Sequence, residues 1–261
     1  MIPRSTRYLL LAAAVTVFCT FAWAQNENPF HWSGKLAPDN IVEIKNLNGR
    51  IEAEPASGDQ VEVTAEKSGE RAAEVKIVAV PSSDGITICA IYPGGDPSQC
   101  TAGRSWHTNN THGDRAKVDF RVKLPQNLRF SGTNVNGDVT AENLGRFVRA
   151  VSVNGSVRVS TKSWAEASSV NGSIDVEMGA ANWDGTLKIS TVNGSIHLRM
   201  PSNLSADVKF STVNGRLNSD LPLVVQGSLG HNRIEGRIGN GGRLLELETV
   251  NGSVELRQGS I

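Results

Sequence analysis

Leu187-Lys188-Ile189-Ser190-Thr191-Val192-Asn193-Gly194-Ser195-Ile196-His197-Leu198-Arg199-Met200 is the stretch whose reading decides the fold. Apolar residues take every second position on each side of Asn193-Gly194, the pattern of two half-buried strands. Asn and Gly tolerate the positive φ of a tight reversal or corner, so the dipeptide marks where the chain turns. The unit recurs, with Asn-Gly at Asn48-Gly49, Asn136-Gly137, Asn154-Gly155, Asn171-Gly172, Asn193-Gly194, Asn214-Gly215 and Asn251-Gly252. Leu or Val precedes Asn in all seven, and the residue two after Gly is always apolar. From Asn136 to Asn214 successive Asn residues lie 18, 17, 22 and 21 apart. The last gap, 37, is close to two periods and is expected to hold a degenerate unit or local insertion around Gly236–Gly241. The gap from Asn48 to Asn136 is expected to hold something other than the repeat.

Two architectures use such a unit. In an antiparallel β-meander or sandwich each Asn-Gly is a type I′ hairpin turn. In a β-solenoid each unit is one coil and Asn-Gly forms a corner. A two-residue hairpin would place Val192 on the polar face beside Ser195, yet this position is apolar in all seven units. An apolar residue repeated there calls for burial, which a corner wrapped around a core supplies. The reading is therefore an all-β, right-handed single-stranded β-helix with coils of about 17–22 residues. Coils stacked about 4.8 Å apart would bring the Asn side chains into register as an amide ladder.

Composition agrees. The chain has 261 residues, 26 Lys+Arg against 26 Asp+Glu, 26 Gly and 5% aromatic residues. Low aromatic and high Gly content fit thin coils and tight turns. Zero net charge excludes a generic nucleic-acid binder, which carries a basic excess. The 39% hydrophobic content excludes a disordered chain.

Arg4 and Arg7 precede an apolar run, Tyr8 to Phe21, and Ala22-Trp23-Ala24 follows, the three parts of a secretory signal peptide cleaved after Ala24. The run is shorter than the roughly 20 residues of a membrane span. Val15-Thr16-Val17-Phe18 lacks the small residues that lipoprotein processing at Cys19 requires. Residues 25–40 read as a linker and 41–261 as the solenoid domain, with no membrane span in the mature chain. Cleavage takes the 26 basic residues to 24 against 26 acidic, a mature charge of about −2. It also leaves two cysteines, Cys89 and Cys100, which in an oxidising compartment read as one disulfide. Ile41–Ile44, Val61–Thr64, Val75–Val80, Ile86–Ile91 and Val118–Leu124 read as strands before the main array, and about 92–117 as an irregular insertion.

The seven units, with Ile88-Cys89-Ala90-Ile91-Tyr92-Pro93, Cys100 and Val122-Lys123-Leu124-Pro125, resemble the bacterial putative-adhesin families of unknown function. Those families have repetitive β-solenoid domains behind a signal peptide. The resemblance covers roughly Ile41 to Leu256 and implies the fold and an envelope or surface location. It carries over no catalytic residue.

Candidate chemistry is sparse. The outward position after each unit's apolar anchor holds Glu52, Thr140, Arg158, Asp175, His197, Asn218 and Glu255. Arg158, Asp175 and His197 come from consecutive units and would be neighbours, a trio capable in type of acid–base work. It offers only one carboxylate where glycosidases need two. His107, His112 and Asp114 lack a recognised metal-ligand spacing and read as polar loop, so neither metal nor cofactor is expected. Among Trp32, Trp106, Trp164 and Trp183, the pair Trp164 and Trp183 is the candidate surface for sugar rings. Four Asn-Gly-Ser sequons follow from the repeat itself and carry no message. With no hydrolase, metalloprotease, P-loop or dinucleotide motif, the expected function is a non-enzymatic, exported, adhesin-like envelope module. Its partner would be an envelope protein or glycan. The alternative is a carbohydrate-active β-helix enzyme, a lyase or hydrolase.

Overall fold

The computed structural model describes residues 29–103, 115–225 and 233–259. The signal segment, His107, His112, Asp114 and Trp106 lie outside the described residues.

The chain winds into stacked coils, each giving one strand to each of two sheets of 10 and 11 strands. Each coil is named by its Asn. The Asn48 coil pairs strands Ile41–Lys45 and Ile51–Pro55, and the Asn136 coil Arg129–Thr133 and Val139–Leu144. The Asn154 coil has Val148–Val151 and Val157–Thr161, and the Asn171 coil Ala165–Ser168 and Ile174–Met178. Thr186–Ser190 and Ile196–Met200 make the Asn193 coil. Ala206–Ser211 and Leu217–Ser219 make the Asn214 coil, and Arg243–Glu248 and Val254–Gln258 the Asn251 coil. Strands of successive coils pair in parallel and in register, as in Ile174↔Ile196, Val176↔Leu198.

Along the Asn154 to Asn251 coils each sheet has one dry and one wet face, so the strands alternate, whereas Gly85–Ile91 is buried on both faces. In Ile196–Met200 the apolar Ile196, Leu198 and Met200 are buried while His197 and Arg199 are half-exposed. Inward residues of all coils, from Val42 through Val159 and Leu198 to Leu256, merge into one core between the sheets. Burial of that apolar surface stabilises the fold at roughly 25 cal/mol per Å².

The stack does not follow chain order. The Asn251 coil lies between the Asn193 and Asn214 coils: Ile196 pairs with Val254, and Leu217 pairs with Val254 from the other side. Trp183, on the loop entering the Asn193 coil, donates from Nε1 to the Leu244 carbonyl (3.2 Å) and accepts from Arg243 Nε (2.6 Å), clamping the inserted coil. The 37-residue gap contains antiparallel strands instead of a degenerate coil. Arg233–Ile238 pairs with Ala206–Ser211, and Leu223–Val225 then pairs with Arg233–Ile238.

The first gap also contains strands. Gly85–Ile91 pairs in parallel with Ile41–Lys45, and Lys117–Leu124 with Ile51–Pro55, forming a coil in which the 92–116 insertion replaces Asn-Gly. Beyond it run antiparallel strands Val61–Ser68 and Lys76–Ser82. The stretch read as a linker supplies Phe30–Gly34, antiparallel to Val61–Ala65, whose half-buried Phe30 and Trp32 pack on the core. Antiparallel strands thus close both ends of the 11-stranded sheet and the first end of the 10-stranded one, limiting the open edges that invite aggregation, whereas the 10-stranded sheet ends at the short parallel strand Leu217–Ser219.

Candidate functional site

The corners form a third, narrow face. At each one the residue two before Asn is Ser, Thr or Asn, and it is buried. Its side chain donates to a backbone carbonyl of the neighbouring coil. Ser152 and Ser169 reach Gly137 O and Gly155 O at 2.9 Å, Thr191 reaches Gly172 O at 2.9 Å, and Thr249 reaches Gly194 O at 3.0 Å. Asn134 Nδ2 reaches Gly49 O at 2.6 Å. These donors satisfy carbonyls at the turn, where strand pairing lapses. Sequence reasoning missed this file, although a polar residue of this kind at the same place in all seven units was legible.

The next residue overturns an expectation. Val153, Val170, Val192 and Val250 are 36–39% exposed and Val213 58%, so the repeated apolar residue before Asn is not buried. The inward place at the corner belongs to the hydroxyl, because only a donor can satisfy the Gly carbonyl; Val is turned outward by the alternation.

The Asn side chains form an unbroken ladder, each Nδ2 donating to the Oδ1 of its neighbour. The order is Asn136→Asn48 (2.7 Å), Asn154→Asn136, Asn171→Asn154, Asn193→Asn171 and Asn251→Asn193 (each 2.8 Å), then Asn214→Asn251 (2.7 Å). No corner Asn has positive φ. Nor is positive φ the general reason for Gly. A Cβ on Gly155 would lie 2.2 Å from Gly137 O, and one on Gly194 2.2 Å from Gly172 O. Close approach of successive coils excludes any side chain there. At the Asn48 end the terminal amide Nδ2 donates to the Ala116 carbonyl (3.3 Å), while the Tyr92 hydroxyl holds the corner backbone, donating to Asn48 O (2.8 Å) and accepting from Asn48 N (3.1 Å).

On one wet sheet face the register brings Arg158, Asp175 and His197 side by side, and the inserted coil adds Glu255 next to His197. Chain order had placed Asn218 there. Arg199 pairs with Asp175 (2.9 Å), His197 Nδ1 lies 3.4 Å from Glu255, and Arg257 pairs with Glu255 (3.0 Å). The Arg257 hydrogen bond, aided by His197, holds the Glu255 carboxyl below the usual glutamate range. A carboxylate so held is a poor general acid. The row reads as a solvated lattice of ion pairs, each worth at most about 1 kcal/mol.

Farther along, Glu52, Glu54 and Glu142 line a shallow cleft of about 410 Å³ with Arg121, Ala53 and Pro55. Glu52 is shared by Arg50 (3.3 Å) and Arg121 (3.5 Å), and Glu54 is exposed. Glycosidic cleavage needs two carboxyl groups converging on one bond; here the Glu52 carboxylate is engaged by two guanidinium groups, and Ala53 and Pro55 supply the apolar part of the wall.

Trp183 is 1% exposed, a core residue with no free face. Trp164 is half-buried and packs against Phe147, with ring centroids 4.3 Å apart and the planes tilted by 46°. The two do not form a sugar-binding patch.

Cys89 and Cys100 form a disulfide with Cα atoms 5.9 Å apart. With Ile91, Val78 and Val80 it builds a small second core on the 11-stranded sheet, separate from the main one. Beside it the insertion covers a buried ion pair. Lys45, 1% exposed, donates to Thr101 O (2.6 Å) and lies 3.4 Å from Glu43. Glu43 accepts from Thr87 Oγ1 (3.0 Å) and Gly103 N (3.2 Å).

Among the described residues no three His, Cys, Asp or Glu are grouped to hold a metal, and no helix is long and apolar enough to cross a membrane.

Comparison with curated proteins found no match. Among solved structures, the chain is similar to a "putative cell adhesion protein" from Clostridium sporogenes, at 12% identity and TM-score 0.45. The alignment covers 88% of this chain and 100% of that one. It is also similar to a "putative adhesin" from Bacteroides fragilis, at 10% identity and TM-score 0.37, covering 89% of this chain and 97% of that one. At these scores neither likeness carries an argument about function. A family model, by contrast, matches residues 39–257, nearly the whole described solenoid, and by that match the chain belongs to the Toastrack DUF4097 family.

Proposed function

We propose that the chain is an exported, non-enzymatic interaction module of adhesin type that works at the cell envelope. The observation that carries this reading is a regular corner face seven Asn coils long, five of them with an exposed Val before Asn, and no catalytic constellation assembled on it among the described residues. Export draws support from the basic-apolar-small order of Arg4 to Ala24 and from a disulfide, a bond that persists in oxidising compartments. The decisive experiment is a pull-down from envelope fractions with residues 25–261 as bait, paired with a glycan-binding screen. Retention of a discrete envelope protein or glycan is the expected result. Release of new reducing ends or unsaturated sugars from a bound polysaccharide would overturn the non-enzymatic reading.

A further inference from the structure

Insertion of the Asn251 coil sorts the narrow face. Val153-Asn154-Gly155-Ser156, Val170-Asn171-Gly172-Ser173, Val192-Asn193-Gly194-Ser195 and Val250-Asn251-Gly252-Ser253 become four consecutive, identical corners. Chain order would have broken that block with Val213-Asn214-Gly215-Arg216. In the folded stack the block is bracketed by two charged corners instead. Asp138 follows the Asn136 corner at one end, and Arg216 follows the Asn214 corner at the other. Both are exposed, and among the described residues neither has an oppositely charged partner; Asp138 accepts from Ser156 N (2.8 Å).

The face therefore reads, along the axis, carboxylate, four neutral corners, guanidinium. A two-fold axis between the Asn171 and Asn193 corners turns this order onto itself with charges opposed. Asp138 then falls opposite Arg216, Ser156 opposite Ser253, and Ser173 opposite Ser195. The exposed Val file runs the length of the same block. Strand propensity accounts for a β-branched residue there, but Thr would serve equally; a continuous apolar row open to water marks an interaction surface.

We propose that this face is the contact surface of a symmetric dimer in which a second copy lies antiparallel along it. Val files pack on one another, and each copy's Asp138 meets the partner's Arg216. The interface is isologous, so it closes at two copies. Five steps of about 4.8 Å give it a length of only about 24 Å. That places it in the small, transient class of interfaces, with micromolar or weaker affinity. The Asn48 corner, held by Tyr92, lies outside the paired block. The dimer uses the same Val face as the interaction reading above, so self-association and an envelope partner would compete for it.

Sedimentation velocity of residues 25–261 over rising concentration tests it. A reversible monomer–dimer equilibrium weakened by salt is expected. Arg216→Asp and Asp138→Arg each set like charges opposite one another twice and should weaken the dimer roughly tenfold or more. The double variant should return it to near the original affinity. Thermal melts check that each variant folds. Register has its own readout: Ser156→Cys mixed with Ser253→Cys should give an intermolecular disulfide that neither gives alone. A monomer at every concentration, a dimer indifferent to charge reversal, or cross-linking of Ser156→Cys to itself would each overturn the proposal.

Discussion

Asn193 has an Asn on either side of it, whereas Asn214 has one only. Removing the amide of Asn193 breaks two side-chain hydrogen bonds and removing that of Asn214 breaks one, each worth about 0.5–1.5 kcal/mol. Asn193→Ala should therefore lower the stability of the folded protein, measured by urea unfolding, about twice as much as Asn214→Ala. Asn251→Ala should match Asn193→Ala, because the inserted coil makes Asn251 interior. If Asn251→Ala behaved like Asn214→Ala instead, the stacking order would be wrong. A second residue-scale expectation concerns acid. The Glu255 carboxyl is held low by Arg257 and then by His197. A depressed folded-state pKa contributes stability that is present above the unfolded value, about 4.3 for Glu, and is lost as pH falls through the folded value. Glu255→Gln should thus lower the melting temperature less at pH 3 than at pH 7, measured by thermal scans at both.

At the scale of elements, the insertion is tied to the solenoid by the disulfide, by the small core around it and by the Lys45–Glu43 pair, rather than by strand pairing. Closing a loop of this size stabilises by roughly 3 kcal/mol in the chain-entropy account. Reduction of Cys89–Cys100 should raise hydrogen exchange in 92–103 while leaving the Asn136 to Asn251 coils protected, since each coil touches only its neighbours. Mass spectrometry of residues 25–261 produced in an oxidising compartment should find no free thiol. Loss of protection throughout the coils would show that the disulfide has a global role.

At the scale of the molecule, the last coil in sequence is an interior coil in space. Truncation after residue 242 would remove the layer on which the Asn214 coil is built, including the pairing of Val208 with Leu245 and Phe210 with Leu247. Limited proteolysis of such a protein should cut within 201–225 as well as at the new end, whereas the Asn136 and Asn154 coils stay resistant. A truncated chain that resisted cleavage in 201–225 would mean that the Asn214 coil can dock directly on the Asn193 coil.

The alternation around each Asn-Gly, its recurrence at 17–22 residues through the main array and the pair Cys89 and Cys100 were sufficient to give an all-β stack, its corners and its disulfide, because these depend on short stretches of chain. One route to that reading was mistaken. Val before Asn points to water, and the hydroxyl or amide before it is what the corner buries, a distinction set by which backbone carbonyls need donors. The order of the coils was not legible. Every coil offers its neighbours the same hydrogen-bonding edges, the same Asn amide and the same Gly gap, so no local feature of Val250-Asn251-Gly252-Ser253 says which two layers it will join. Only the packed structure, with Trp183 clamped across Arg243 and Leu244, settles that choice. The uninterrupted Val-Asn-Gly-Ser face, bracketed by Asp138 and Arg216, exists as a consequence.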